Sequence, residues 1–225
     1  LVEGWHTVGD ALTAHEPVQT LIATGEQLDA HPNDLPDTIE QIEITEEIAK
    51  KLTDTVTPQG IFAVVNITAA TRVAPADADG AWLLLDRIQD PGNIGTMVRT
   101  ADAAGFTGIV FGKGTSSRFN PKVIRSMQGS QFHVQLTEGD LTEWLQTFQA
   151  ANKPVYGTAL NKDAKNFRDV TAGNDFGLIM GNEGQGMAPE LMTQTTENLY
   201  IPIKGNAESL NVAIAAGVLM FQLNQ

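Results

Sequence analysis

The chain has 225 residues, 42% of them apolar, enough for one large domain or two modest ones with a buried core. It carries no cysteine, which excludes a disulfide framework and a zinc–thiolate site, and its formal net charge of −13 weighs against a nucleic-acid partner over the molecule as a whole. The longest apolar run, "LNVAIAAGVLMF" at 210–221, is shorter than the roughly 20 residues a membrane span needs, and no signal peptide is recognisable.

The charge is unevenly spread. Residues 1–80 hold 14 acidic side chains against only Lys50, Lys51 and Arg72, a net of −11; residues 81–225 hold 13 acidic and 11 basic, a net of −2. Nothing acidic occurs between Asp102 and Glu138, whereas Lys113, Arg118, Lys122 and Arg125 do. Such a basic strip can meet a phosphate backbone even on an acidic protein. A solvated surface with scattered basic residues explains the charge equally well.

The chain opens at Leu1 inside what reads as structured sequence, so a preceding segment is expected. "VEGWHTVGDALTAH" predicts a short helix and "VQTLIAT" a strand. "IEQIEIT" alternates as a strand does, "TEEIAKKLTDT" has helical spacing with a capping box expected at Thr45, and "IFAVVNI" predicts a buried strand. Together these make a small α/β domain over residues 1–72. Residues 73–80, "VAPADADG", lack apolar periodicity and read as a linker.

Beyond it, strands are predicted at "AWLLLD", "GIVFG", "FHVQL", "PVYGTAL", "FGLIM" and "LYIPI". Helices are predicted at "NIGTMVRTADAA", around "PKVIRSMQ", at "LTEWLQTFQAA", at "PELMTQT" and over the terminal "SLNVAIAAGVLMFQL". This alternation implies an α/β fold over 81–225, a mostly parallel sheet with helices on both faces. Ligands of such sheets sit beyond the C-terminal ends of the strands.

Three segments carry candidate chemistry. In "LLLDRIQDPGNIGTMVRTADAAGF" (83–106) the Asp-Pro-Gly-Asn run ends a strand and opens a helix, and Arg99 falls in an otherwise largely apolar stretch. An arginine there needs a partner for its guanidinium; an ion pair with Asp102 and solvent exposure is the plain alternative to a functional role. In "LIMGNEGQGM" (178–187) the glycines are spaced G-x-x-G-x-G, neither a dinucleotide fingerprint nor a phosphate loop. Glu183 in that turn repels phosphate and favours a neutral or cationic ligand. In "IPIKGNAESLNVAIAAGVLMF" (201–221) a polar loop enters a helix that is apolar nearly all round and must be buried in a core or a subunit interface. Ser209 or Glu208 is the expected cap, with Asn211 in the first turn; capping alone would also explain Ser209 and Asn211.

Taken in order, N-x-G-x-x-x-R-T-A from Asn93, G-N-E-G-x-G from Gly181 and I-P-x-x-G-x-x-E-S-L-N-V-x-x-A from Ile201 closely resemble the three motifs of the SpoU/TrmH branch of the SPOUT RNA methyltransferases. "NPKVIRSMQGSQFHV" (120–134) is similar to that family's segment between the first two motifs, and the resemblance covers 81–225. Residues 1–72 resemble the small substrate-binding domain of many members, with "LVEGWHTVGDAL" as its second element and the usual basic segment before it absent.

The resemblance implies a methyl transfer from S-adenosylmethionine to a ribose 2′-hydroxyl in RNA, with S-adenosylhomocysteine as product, and a C-terminal deep trefoil knot. By motif position Gly181, Ile201 and Leu210 would line the cofactor site, joined by Thr158 and Ala159. Arg99 inherits the catalytic arginine position, Asn93 would fix the first loop and the substrate, Glu183 would hold Arg99 or a substrate group, and Ser209 and Asn211 would complete the cluster. No metal is called for, because the leaving group is already an activated sulfonium. Substrate RNA would cross Lys113, Arg118, Lys122 and Arg125, with ribosomal RNA preferred over transfer RNA. A cytoplasmic homodimer with the terminal helix in its interface and no membrane association completes the expectation. The alternatives are a transfer-RNA 2′-O-methyltransferase, a non-catalytic RNA- or ribosome-binding protein of the same fold, and a nucleotide-binding enzyme such as a dehydrogenase. Intact Arg99, Glu183, Ser209 and Asn211 speak against the non-catalytic reading, and the glycine spacing against the dehydrogenase.

Overall fold

A computed structural model describes residues 1–53, 55–67, 72–159 and 163–225. The chain divides into two compact units, Leu1–Ala70 and Thr71–Gln225.

In the first unit the elements are β1 (Val2–Glu3), α1 (Trp5–Thr13), β2 (Val18–Thr24), α2 (Gly25–Ala30), β3 (Glu40–Ile44), α3 (Glu46–Leu52) and β4 (Ile61–Val65). The sheet order is β1-β4-β2-β3, with β4 antiparallel to both neighbours and β2 parallel to β3. Val8 and Ala11 of α1 are buried, as are Leu21 and Ala23 of β2 and Ile61, Phe62 and Ala63 of β4. The alternation of "IEQIEIT" suggests one buried face, but β3 is an edge strand and its Ile42 stays 41% exposed. Thr45 does cap α3, its hydroxyl accepting the Ile48 N–H at 3.4 Å. A capping box is not formed, because the position that must return the bond holds Ile48 rather than Glu or Gln. The predicted extension of this helix reaches Asp54, which lies outside the described residues.

The second unit runs β5 (Ala81–Leu85), α4 (Pro91–Ala103), β6 (Gly108–Phe111), α5 (Pro121–Met127), β7 (Gln135–Glu138), α6 (Leu141–Ala150), β8 (Val155–Thr158), β9 (Lys165–Asn166), β10 (Phe176–Met180), α7 (Pro189–Met192), β11 (Glu197–Tyr200) and α8 (Val212–Leu223). Its sheet order is β7-β6-β5-β10-β8-β11-β9 and every pairing is parallel. Side chains alternate across a strand, and here each face meets its own core. Leu83, Leu85, Ile109, Phe111, Leu178 and Met180 point to one core with residues of α4, α5 and α8. Trp82, Leu84, Val110 and Ile179 point to the other, with Trp144, Leu145 and Phe148 of α6 and Leu191 of α7. The apolar strands therefore lack a polar face because both faces are covered.

Four expectations shift. Residues 73–80, read as linker, pack onto this unit: Ala78 is fully buried and its carbonyl accepts Lys153 Nζ at 2.7 Å. "FHVQL" divides into a 3₁₀ turn at Ser130–Phe132 and a strand that begins at Gln135. "LYIPI" ends as a strand at Tyr200, two residues before Pro202, which has no N–H for a ladder. The helix at "PELMTQT" stops at Met192. The predicted strand "PVYGTAL" reaches Leu160, which lies outside the described residues.

Candidate active site

β5 and β10 are adjacent and parallel, with Leu85 opposite Met180, so the loops that leave them emerge side by side. From β5 the chain continues to β6 on one side, and from β10 to β11 on the other, so the two strands flank the kind of switch point where ligands of open parallel sheets bind. The loop after β5 carries Gln89, Asp90 and, at the start of α4, Asn93. The loop after β10 is the glycine-rich turn.

That turn folds back tightly on itself. A Cβ on Gly181 would lie 2.1 Å from the Met187 nitrogen and 2.4 Å from the Gly186 carbonyl carbon, so only glycine lets the returning chain cross there. The Asn182 side chain holds the turn from inside, its Oδ1 accepting the Gly184 and Gln185 N–H groups, each at 3.0 Å. Its Nδ2 donates to the Arg87 carbonyl at 2.8 Å.

A second set of bonds staples the turn to β5. Asp86, 4% exposed, accepts the Ala188 N–H at 2.7 Å and Arg87 Nε at 3.0 Å. The same guanidinium donates to the Gly186 carbonyl and to Gln185 Oε1, both at 3.2 Å. Arg87 takes the left-handed backbone conformation at φ 55° to do so. Sequence reasoning missed this pair; a carboxylate closing the fully apolar run "AWLLLD" is the signal that could have found it.

Glu183 joins the turn to the first loop. Its carboxylate accepts the N–H of Asp90 at 3.1 Å, the N–H of Gln89 at 3.3 Å and Asn93 Nδ2 at 3.2 Å. Partial burial alone would raise its pKa, but the hydrogen bonds from its own N–H, Asp90, Asn93 and Gln89 outweigh it and hold the carboxyl below the ordinary value. Asn93 Oδ1 in turn accepts Asn211 Nδ2 at 3.0 Å. Asn211, rather than Ser209 or Glu208, is the cap of α8, its Oδ1 taking the Ala213 and Ile214 N–H groups at 2.9 and 3.3 Å. Three loops distant in sequence are thus tied into one network by Glu183, Asn93 and Asn211.

Two clefts meet at this network. One, of about 500 Å³, brings together Thr158, Ala159, Gly181, Ile201 and Leu210, over an apolar floor that includes Met180, Leu199 and Leu219. The other is lined by Gln89, Asp90, Asn93 and Asn211. Glu183, Ser209, Leu210 and Val212 border both. A cleft of glycine backbone and apolar side chains fits a flat heterocycle and a cationic sulfur, which need close approach rather than a strong counter-charge.

Arg99 is the residue the fold does not bring in. It is exposed on α4, lines neither cleft, and makes no hydrogen bond or ion pair among the described residues. The expected contact with Glu183 is absent because backbone amides and Asn93 already occupy that carboxylate. The alternative ion pair with Asp102 is absent too, since Asp102 takes His133 Nδ1 at 3.0 Å. Of the basic strip, Lys113 and Lys122 are exposed and Arg125 half-buried. Arg118 is not free to meet phosphate: its side chain is only 13% exposed, it donates to the Leu136 carbonyl, and burial pulls its pKa below the usual guanidinium value while Glu138 opposes this.

Residues 80–221 match the model of the SpoU rRNA Methylase family, and residues 1–63 that of the MRM3-like substrate binding domain. The chain is 40% identical to the 23S rRNA (guanosine(2553)-2′-O)-methyltransferase RlmP of Bacillus subtilis, over 99% of this chain and 87% of that protein. It is 30% identical to the 23S rRNA (uridine(2479)-2′-O)-methyltransferase of Streptomyces viridochromogenes, over 99% of this chain and 81% of that protein. The crystal structure of an AdoMet-bound rRNA methyltransferase from Sinorhizobium meliloti superposes with a TM-score of 0.85 at 29% identity, covering 98% of this chain and 85% of the other. With three motif loops converging on one pair of clefts and a family match across most of the second unit, the chain belongs to the SpoU rRNA methylase family.

Proposed function

We propose that this protein transfers a methyl group from S-adenosylmethionine to a ribose 2′-hydroxyl of ribosomal RNA. The observation that carries the reading is the pair of joined clefts. One has the glycine backbone and apolar floor that a methyl donor fits, the other gathers Asn93, Glu183, Ser209 and Asn211, and the two share a border. Gly181, Ile201, Leu210, Thr158 and Ala159 would hold S-adenosylmethionine, which when bound supplies an electrophilic methyl on a sulfonium. No metal has a role in activating that leaving group.

The chain's own residues must then hold the sugar and ease its proton away. A ribose hydroxyl gives up its proton reluctantly at neutral pH, so it has to be aligned and hydrogen-bonded. Ser209, which borders both clefts, and Asn211, which lines the second, would orient the sugar. Asn93, held between Asn211 and Glu183, fixes the loop on which the substrate rests. Arg99 lies six residues beyond Asn93, about 9 Å further along α4. It lies about a third of a turn around the helix from Asn93 and is unengaged among the described residues, so it would meet a substrate phosphate outside the cleft rather than line it. As a guanidinium stays protonated, its part is to orient the ribose and its phosphate and to stabilise negative charge as the proton leaves.

Lys113, Lys122 and Arg125 would steer the RNA. The substrate-binding-domain match and the two ribosomal RNA methyltransferase relatives favour ribosomal over transfer RNA, and the cytoplasm as the compartment where that RNA is met. A homodimer is part of the reading. Ile214, Val218 and Phe221 form an apolar stripe on α8, exposed by 56%, 37% and 56%, that a second copy would cover. The trefoil knot belongs to it as well, supported by the chain crossing at Gly181 and by segments 181–187 and 199–210 lining one cleft. Isothermal titration with S-adenosylhomocysteine, NAD and ATP tests the core of the proposal. Binding of the first alone is expected; binding of NAD or ATP alone would refute it.

A further inference from the structure

Phe119 is a large aromatic side chain left 41% exposed in a protein whose other Phe and Trp rings are mostly buried. Its support is unusual. The Arg118 guanidinium lies 4.6 Å from the ring centroid, and that arginine is itself mostly buried, anchored on the Leu136 carbonyl, with its Nε 4.0 Å from Glu138 Oε1 and making no hydrogen bond. The ring thus packs against an anchored guanidinium while 41% of the residue stays open to solvent. Phe119 N–H donates to Ser117 Oγ at 3.2 Å and Asn120 caps α5, so the backbone on both sides is also set.

The segment that carries Phe119 is bonded to the first loop of the candidate active site. Ser116 donates from its hydroxyl to the Gln89 carbonyl at 2.7 Å and from its N–H to the Ile88 carbonyl at 2.9 Å. Ser126, on the other side, donates to the Pro91 carbonyl at 2.7 Å. Phe119 is three residues from Ser116, and so within about 11 Å of it along even a fully extended chain. Lys113, Lys122 and Arg125 are its basic neighbours in sequence, in a stretch with no acidic residue.

We propose that Phe119, held by Arg118, is a stacking platform for an unpaired RNA base near the target nucleotide. The inference rests on the RNA-methyltransferase reading for the identity of its partner. An aromatic face offers every base the same attraction, whereas lysines alone see only phosphate. Single-stranded segments, whose bases can splay out, are what such a ring selects over a duplex. In this arrangement the basic residues supply affinity for the backbone and Phe119 supplies the preference for an open loop.

The test is binding, which needs no turnover. Fluorescence anisotropy is measured with a labelled single-stranded RNA about ten nucleotides long, a duplex of the same sequence and a base-free polyphosphate, on the full chain. Phe119→Ala should weaken single-strand binding roughly 5- to 100-fold, with little effect on the duplex or the polyphosphate. The dependence of binding on salt should stay unchanged, because no phosphate contact is lost. Phe119→Trp and Phe119→Tyr should bind like the wild type, and all variants should keep its thermal midpoint and its sedimentation coefficient. Equal loss on all three probes, no loss on any, or a tryptophan variant as weak as the alanine one would overturn the proposal. A wild-type protein that binds single strands through Phe119 but transfers no methyl group would refute the methyltransferase reading and leave this one standing.

Discussion

Glu183 illustrates how a single side chain can be read from sequence for its oddity and from structure for its work. A carboxylate in a glycine-rich turn argues against phosphate, and that much was legible. That it would bridge two loops by accepting Gln89, Asp90 and Asn93 was not, because those partners are some 90 residues away in sequence. Its hydrogen bonds lower its pKa, so the folded form favours the ionised state more than the unfolded chain does. The clamp is therefore complete above the ordinary carboxyl range near pH 4.3 and is lost as pH falls through the lowered folded value. S-adenosylhomocysteine affinity is expected to be flat from about pH 6 to 8 in this respect, and Glu183→Ala should weaken it at neutral pH. Titration calorimetry across that range checks both; an unchanged affinity in the variant would remove the clamp from the account. Arg99 gives the opposite case, identified by motif and isolated in the fold. Arg99→Ala should lower turnover by at least about 100-fold, as expected for a group that acts on a proton or a developing charge, while cofactor affinity changes less than about threefold. Turnover retained in steady-state assays would take the catalytic role from Arg99.

Among the elements, those the sequence marks most plainly are the central strands β5, β6 and β10 of the second unit, short apolar runs closed by Asp86, Gly112 and Gly181. Their unbroken apolar composition reflects a sheet covered on both faces, and the two-sided cores bear this out. Boundaries were harder. "FHVQL" and "LYIPI" carry strand-like residues in segments whose hydrogen bonds go to a 3₁₀ turn or whose Pro202 ends the ladder. The start of α8 at Asn211 rather than Ser209 depends on which side chain reaches the free N–H groups, a matter of local geometry that residue type leaves open. The glycine turn separates two kinds of requirement. Gly181 needs room: Gly181→Ala forces a Cβ against backbone and should cost about 2–3 kcal/mol and most of the cofactor affinity. Gly186 needs only its left-handed backbone at φ 69°, with open space around it, so Gly186→Ala should cost about 1–2 kcal/mol and leave the cleft in place. Thermal unfolding and S-adenosylhomocysteine titration of the two variants distinguish them; equal losses of affinity would contradict the crossing at Gly181.

At the scale of the whole molecule, the charge divides as the units do. Leu1–Ala70 holds 12 acidic and two basic side chains, a net of −10, while Thr71–Gln225 holds 15 acidic and 12 basic, a net of −3, and carries the basic strip. Net charge alone would have argued against RNA, and only its distribution leaves room for it. The all-round apolar character of 210–221 has a two-part explanation. Ala213, Ala216, Leu219, Met220 and Leu223 are buried in the unit, and Ile214, Val218 and Phe221 remain exposed on the far side. If a second copy covers that stripe, Phe221→Glu should shift the protein from dimer toward monomer in sedimentation velocity at micromolar concentration; a wild-type monomer would contradict the assembly. Methyl transfer to the ribose is read directly by a labelling experiment. The protein is incubated with methyl-tritiated S-adenosylmethionine and unmodified ribosomal RNA, and the RNA is hydrolysed in alkali, which cannot cut after a 2′-O-methylated nucleotide. The account predicts label in alkali-stable dinucleotides with the wild type and none with Arg99→Ala. Label in mononucleotides, the mark of a methylated base, or no transfer to any ribosomal RNA, would contradict it.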